Sequence, residues 1–268
     1  PVLAAALAAP YSHDVKDRFG TARRAQASVV AVPRLYGRGR KAAGFLIQRG
    51  VEALARVVDE PEQPFVAVVG GAKISTKIAP LEALLGRVAS LLLGGGMANT
   101  FFPPKGLEVG RSLVEEEMVA TAREVLELAA ERGIDIELPP DVVVTDAIDN
   151  PQVVKVVPAE SIPADLMVVD IGPETRVRYA EVLDTARSIF WNGPMGVFEV
   201  PEFAAGTLAI AEALAASEAF SVVGGGESVM AIRRAGVIDD IDHVSTGGGA
   251  SLEFITGEVL PAIVALEE

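Results

Sequence analysis

The sequence predicts a doubly wound parallel α/β sheet over residues 61–268, beside an incomplete second domain. Three observations predict it. From Pro64 onward, short apolar runs recur, each followed by glycines or a polar turn and then by a helical stretch. The runs are continuous in Val, Ile and Leu, which suits strands buried on both faces. The stretches between them are long enough to be parallel crossovers. Helices on both faces of such a sheet make a three-layer, Rossmann-like lobe.

The elements can be justified in chain order. Residues 1–43 include "VKDRFGTARRAQASVVAVPRLYGRGRK", which is basic, turn-rich and short of a self-contained sheet, so they read as the remnant of another domain. Arg23, Arg24, Arg34, Arg38 and Arg40 form either a solvated basic face or a patch for an anionic substrate. Residues 44–60 hold an amphipathic helix that leads into the α/β part. Strands are expected within "FVAVVGGA", "VASLLLGGG", "PPDVVVTD", "LMVVDIGP", "SIFWNGPMG", "FSVVGGG" and "HVSTGGG". The clearest helix lies in "SLVEEEMVATAREVLELAAERG": Val114, Met118, Ala122, Val125 and Leu126 keep helical spacing, acids fill the first turn and Gly133 stops it.

Composition narrows the function. With 37 acidic against 23 basic residues and a net charge of −14, a general nucleic-acid binder is disfavoured, and any bound anion must be held locally. The absence of cysteine excludes disulfides, zinc–thiolate sites and thiol nucleophiles. No apolar run has the length of a membrane span, and "PVLAAALAAP" lacks the basic flank of a signal peptide. A soluble, cytoplasmic monomer is the expectation.

Glycine clusters at Gly70–Gly71, Gly94–Gly96, Gly224–Gly226 and Gly247–Gly249 fall at the carboxyl ends of the expected strands, where open α/β sheets bind ligands. A single such cluster could be turn chemistry alone. Four of them imply close backbone approach. No G-x-x-x-x-G-K-[ST] loop and no strand-linked G-x-G-x-x-G occurs, which argues against a P-loop enzyme and an NAD-type dehydrogenase. Lys73 and Lys77 are four residues apart, which puts them on one face of a helix opening after Gly71, as a clamp for phosphate.

The motifs "GGAKISTKI", "GGGMANTF", "VVDIGPET", "WNGPMGVFE", "GGGESV" and "STGGGASLEF", in this order, resemble the nucleotide-binding domain of the phosphoglycerate kinase family. "FGTARRAQAS" is similar to that family's "FGTAHRAHAS". The resemblance implies reversible phosphoryl transfer between 1,3-bisphosphoglycerate and ADP with Mg²⁺, giving 3-phosphoglycerate and ATP, with neither nucleic acid nor membrane as partner. It implies catalytic roles for Lys73, Lys77, Gly248 and Arg24, Arg24 also binding substrate. Around the nucleotide it implies Gly70, Gly71, Ala72 and the two lysines at the phosphates, with Gly94, Gly95 and Gly96 at the adenine. Asn192, Pro194, Gly196 and Val197 follow along the cleft, and Glu199 accepts the ribose hydroxyls. Gly225, Gly226, Glu227 and Ser228 close over the phosphates, and Gly247 and Gly248 open a helix towards the moving group.

The sequence also departs from that pattern. Glu227 stands where the family has the aspartate that ligates nucleotide-bound magnesium, and Arg23 and Gln26 replace two histidines. "VKDRFG" replaces the usual "VNDAFG". Family members carry about a hundred further residues ahead of this segment, the size of a domain, so an alternative is a lobe that binds ADP or ATP with little turnover. His13 and His243 have no partner cluster and read as ordinary surface or packing residues, and Trp191 reads as packing. Asp170, at a strand end, suits either a structural turn or the nucleotide edge.

Overall fold

The computed structural model describes residues 2–245 and 247–268. Its strands are β1 (Asp14–Lys16), β2 (Lys41–Ala43), β3 (Phe65–Val69), β4 (Ser90–Leu93), β5 (Asp135–Glu137), β6 (Asp141–Thr145), β7 (Val154–Pro158), β8 (Met167–Ile171), β9 (Ser188–Asn192), β10 (Phe220–Gly224) and β11 (His243–Ser245). Six of them form one sheet in the order β11-β10-β9-β3-β4-β5, with every neighbouring pair parallel. The chain enters at β3, builds outward to β5, then returns to the other side of β3 at β9 and builds outward to β11. This is the doubly wound α/β sheet that the sequence predicts, and its direction reverses between β3 and β9.

The continuous apolar runs exist because both faces are covered. On β3, Phe65, Ala67 and Val69 enter one core, while Val66 and Val68 enter the other. The first core holds Leu54 and Val57 of the helix Phe45–Val58, Leu81 and Leu84 of Ile78–Leu84, and Ala122 and Val125 of Val119–Glu131. The second holds Tyr179 and Leu183 of Pro173–Asp184, Ile210 and Leu214 of Ala205–Ala216, and Ala231 and Ile232 of Gly226–Ala235. Fully buried aliphatic and aromatic side chains each contribute roughly 1.5 to 3 kcal/mol, which is why strands of five residues suffice.

Two expected strands lie elsewhere. "PPDVVVTD" and "LMVVDIGP" form β6 and β8 of a separate antiparallel sheet, order β7-β6-β8, with Val142, Val144, Ile162 and Leu166 beneath it around Phe102. A short apolar run fits a parallel or an antiparallel neighbour equally well, and packing decides. The outer strand β7 leaves Val154 and Val156 half exposed. The clearest helix begins later than expected: Glu116–Met118 is a 3₁₀ turn, the α-helix runs Val119–Glu131, and Val114 lies before both.

The N-terminal segment has one two-stranded parallel sheet, β1 with β2. Asp17 holds it to the helix Phe45–Val58 by accepting the Leu46 and Ile47 N–H groups at 2.6 and 3.1 Å, which satisfies donors that a helix start leaves free. The last helix, Pro261–Glu267, returns to this segment: the Ala262 N–H donates to the Ala22 carbonyl at 3.0 Å, and Lys41 Nζ to the Ala265 carbonyl at 2.8 Å. Arg34 pairs with Glu268 through bonds of 2.6 and 2.9 Å, so this part of the basic stretch is engaged within the chain.

Candidate active site

Adjacent strands whose following segments leave in opposite directions open a crevice at their carboxyl ends. Here that crevice lies beyond β3 and β9, and the loops meet in it backbone to backbone. Gly193 has φ +99°, and a Cβ on it would lie 2.2 Å from the Gly70 carbonyl oxygen. A Cβ on Gly70 would lie equally close, 2.2 Å, to the Pro194 carbonyl oxygen. The Gly71 N–H donates to that same Pro194 oxygen at 2.9 Å, and the Gly193 N–H to Ser228 Oγ at 2.6 Å. Gly70, Gly71 and Gly193 therefore let the loops after β3 and β9 interlock against the helix that follows β10.

Beside this junction lies a cavity of about 280 Å³ between the parallel sheet and the antiparallel one. Gly71, Ala72, Gly95, Gly96, Pro194, Gly196, Val197, Glu199 and Glu227 line one side. Phe102, Leu113, Val142, Ile148, Met167 and Val168 give it an apolar wall, which the antiparallel sheet largely supplies. The cavity thus offers an apolar slot with backbone edges and the carboxyl groups of Asp170, Glu199 and Glu227, and it suits a flat, partly polar ring system. Gly94 is not part of this wall; it packs under Met195, whose Sδ a Cβ there would meet at 2.4 Å.

Lys73 and Lys77 do not share a helix face. Lys73 is extended (φ −129°, ψ 129°) ahead of the single 3₁₀ turn Ile74–Thr76, and Lys77 precedes the helix Ile78–Leu84. Gly71 has φ +112° and Lys73 is extended, so no α-helix runs from Gly71 through both lysines. The consequence is a division of the pair: Lys73 is exposed, whereas Lys77 is turned inward and donates from Nζ to Asn192 Oδ1. Burial pushes the Lys77 ammonium down to about 8, with the Glu227 carboxylate acting the other way. It forms no ion pair among the described residues.

Around Lys77 the remaining glycine turns converge. Asn192 is buried, and its Nδ2 has no partner among the described residues. A Cβ on Gly225 would lie 3.2 Å from that Nδ2, and a Cβ on Gly248 would lie 2.6 Å from the Gly225 Cα. Gly226 opens the helix Gly226–Ala235 with Glu227 in its first turn, and Gly247 precedes the helix Gly248–Ile255. A Cβ on Gly247 would meet Gly20 at 2.6 Å, which brings the "FGTARR" segment against this turn. Arg24 is exposed and makes no side-chain hydrogen bond or ion pair among the described residues, while Arg23 is held by Glu253 at 2.7 Å.

A desolvated ammonium, an orphaned amide donor and two helix starts are groups whose chemistry suits an anion. An aspartate or glutamate is the usual protein ligand of magnesium bound to phosphates, and Glu227 on the cavity rim fits that part. Among the described residues no three His, Cys, Asp or Glu side chains form a group that could hold a metal ion.

Asp170 makes structural turn contacts and also borders the cavity. It lines the cavity and accepts the Gly206 N–H at 2.7 Å and the Ile171 N–H at 2.9 Å, capping the helix Ala205–Ala216. Burial pushes its carboxyl up to about 7, against those hydrogen bonds. Its unfolded value is about 3.9, so the native state holds the proton more tightly and stability contributed by Asp170 falls as pH rises from about 4 to about 7. Asp170→Asn should flatten the melting-temperature profile across that window; an unchanged slope would exclude this titration. Trp191 is fully buried with its Nε1 donating to the Gly193 carbonyl at 2.7 Å, a packing role.

Comparison with known proteins agrees with this geometry. The family model described as "Phosphoglycerate kinase" matches residues 1–258. The phosphoglycerate kinase of Thermomicrobium roseum is 54% identical over 265 residues, covering 99% of this chain and 67% of that protein. That of Thermus thermophilus is 51% identical over 254 residues, covering 94% and 64%. The solved phosphoglycerate kinase of Coxiella burnetii superposes with a TM-score of 0.92 at 42% identity, covering 99% of this chain and 68% of that one. That of Pyrococcus horikoshii gives 0.86 at 36% identity, covering 97% and 65%. The chain spans about two thirds of the length of the relatives it matches. A match of this extent, over motifs that meet at one crevice, shows that the chain belongs to the phosphoglycerate kinase family.

Proposed function

We propose that the chain acts in glycolysis as a phosphoglycerate kinase-type transferase, moving a phosphoryl group reversibly between 1,3-bisphosphoglycerate and ADP, with 3-phosphoglycerate and ATP as the other pair. The observation that carries this reading is the half-buried Lys77, without a carboxylate ion pair among the described residues, beside the orphaned Asn192 Nδ2 at the meeting of the Gly225 and Gly248 turns. Phosphoryl transfer asks the protein mainly for positioning and charge stabilisation. Lys77 and Asn192 face the phosphates, and exposed Lys73 approaches them from the rim. The helix start at Gly248 presents N–H groups to the group in flight, and Arg24 receives the carboxylate substrate. The apolar slot takes the adenine, with Glu199 at the ribose. When bound, magnesium supplies neutralisation of the phosphate oxygens, with Glu227 as its protein ligand.

Residues 61–268 hold the nucleotide, 44–60 connect, and 1–43 belong to a second domain on the acceptor side. The reading also carries a cytoplasmic location and a monomeric state; among the described residues, no helix is long and apolar enough to cross a membrane. A second reading, nucleotide capture by these 268 residues with little turnover, is favoured by the slightness of the acceptor side, whose β1 and β2 have three residues each. A coupled assay of ATP-dependent phosphorylation of 3-phosphoglycerate, run beside ADP calorimetry, separates the two. Transfer supports the first, binding without transfer the second, and failure to bind ADP removes both.

Glu227 offers a further check. Mg²⁺ holds oxygen at about 2.0 to 2.1 Å, and glutamate reaches one methylene farther than the family's aspartate. Glu227→Asp should tighten ADP binding only in the presence of magnesium. Equal magnesium dependence in both proteins would show that this position does not ligate the metal.

A further inference from the structure

The turn that carries the two lysines is held from inside by the buried Ile74 and by the Thr76 hydroxyl, which donates to the Lys73 carbonyl at 2.9 Å. Ile74–Thr76 is a single 3₁₀ turn whose preceding residue, Lys73, supplies no side-chain cap, and isolated turns of this kind are weak. Its outward anchor is Glu115. Glu115 Oε1 accepts the Ser75 hydroxyl at 2.6 Å, and Oε2 accepts the Ser75 N–H at 3.0 Å. Desolvation pushes the Glu115 carboxyl up, but the Ser75 and Ile74 hydrogen bonds and the Lys73 charge together hold it below the ordinary range. The carboxylate stays ionised where the turn needs an acceptor.

The other end of this contact reaches the cavity. The Glu115 N–H donates to Thr100 Oγ1, and Asn99 Nδ2 to the Leu113 carbonyl, both at 3.3 Å. Asn99 and Thr100 are buried and directly follow the helix Gly95–Ala98, whose first residues line the cavity. Leu113 lines it too, and a Cβ on Gly96 would come within 3.4 Å of Leu113 Cδ2. Residues Leu113–Glu115 therefore form a strap with one end on the apolar slot and the other on the lysine turn.

We propose that Glu115, acting through Ser75, is the positioning residue that sets the phosphate-facing lysines relative to the base slot. This rests on the nucleotide reading above. A clasp that merely stabilised the fold would affect every ligand alike, whereas a clasp that aims the lysines matters only for ligands with phosphates. ADP and adenosine differ by that group alone.

The test is calorimetry of ADP and of adenosine with the full chain and with Glu115→Ala, Glu115→Gln and Ser75→Ala, each checked by thermal unfolding. Glu115→Ala should weaken ADP about tenfold and leave adenosine within about twofold, on the scale of a charge-assisted bond. Glu115→Gln keeps one acceptor for the Ser75 hydroxyl and should recover part of the loss. Ser75→Ala should weaken ADP by about threefold, and it should add nothing on top of Glu115→Ala, because both act through one contact. Unchanged ADP affinity in Glu115→Ala, or equal losses for ADP and adenosine, overturns the positioning role while leaving the nucleotide reading intact. A parent chain that binds neither ligand overturns both. Should Glu115→Ala fail to fold, Ser75→Ala, which removes one hydroxyl, decides by the same ADP-to-adenosine ratio.

Discussion

Lys77→Met is expected to abolish measurable phosphoryl transfer, by about 10²- to 10³-fold or more, while the folded protein becomes no less stable. Methionine keeps the long unbranched stem and drops the charge. The ammonium is held in a place where burial opposes its protonation, so removing it relieves a desolvation cost that offsets the lost hydrogen bond to Asn192 Oδ1 in the empty site. A loss of function without a loss of stability is the mark of a group placed for its ligand and not for the fold. With a value of about 8, Lys77 is about nine-tenths neutral at pH 9. ADP affinity of the parent should therefore fall about tenfold between pH 7 and pH 9, and binding near pH 8 should take up protons, because bound phosphate favours the ammonium. The folding side has the opposite sign: the unfolded lysine keeps its proton to about 10.4, so stability rises with pH between about 8 and that value. Calorimetry in buffers of different ionisation heat reads the proton uptake. A parent and a Lys77→Met protein with the same pH profile would remove Lys77 from the phosphate site.

The fold was legible where the sequence repeats itself. β3, β4, β9 and β10 are buried on both faces and end in glycine turns, so composition and punctuation agree with packing. Asp135–Glu137 was not legible as β5, because three residues with two acids carry no strand signal without a neighbour. The same holds for the antiparallel placement of β6 and β8, since the partner of a short apolar run is chosen by tertiary contacts. In the site, the glycine clusters announced close backbone approach, and the structure shows which backbones meet. Spacing alone misjudged Lys73 and Lys77, because a four-residue interval puts side chains on one face only if an α-helix runs through it. Asn99 and Thr100 stand within "GGGMANTF" and Glu115 among the acids read as a helix start, but nothing in pattern or composition marks their contacts. Their roles depend on a fold that brings residue 115 to residue 75.

Gly248→Ala should separate two roles that a glycine turn can play. Gly248 is the first residue of the helix Gly248–Ile255, where alanine is favoured over glycine by about 1 kcal/mol when nothing stands in the way. Something does: the new methyl would lie 2.6 Å from the Gly225 Cα and 2.9 Å from its N, both backbone atoms. Gly225 backs onto Asn192, the place a Cβ on it would take lying 3.2 Å from Asn192 Nδ2, so it can withdraw only towards that side chain. The strain is therefore passed to Asn192 and, through its Oδ1, to Lys77. Overpacking of this kind costs about 1 to 3 kcal/mol, partly offset by the helix preference, so the protein should remain folded. The phosphate end should not remain intact: ADP affinity is expected to fall about 10- to 100-fold, with adenosine much less affected because neither Gly225 nor Gly248 lines the apolar slot. Gly86→Ala, whose methyl would find only ordinary contacts at 3.8 and 3.9 Å, serves as the control for a generic glycine replacement. If Gly248→Ala binds ADP as the parent does and melts higher, then the Gly225–Gly248 contact is helix packing and the phosphates must be held elsewhere along the crevice.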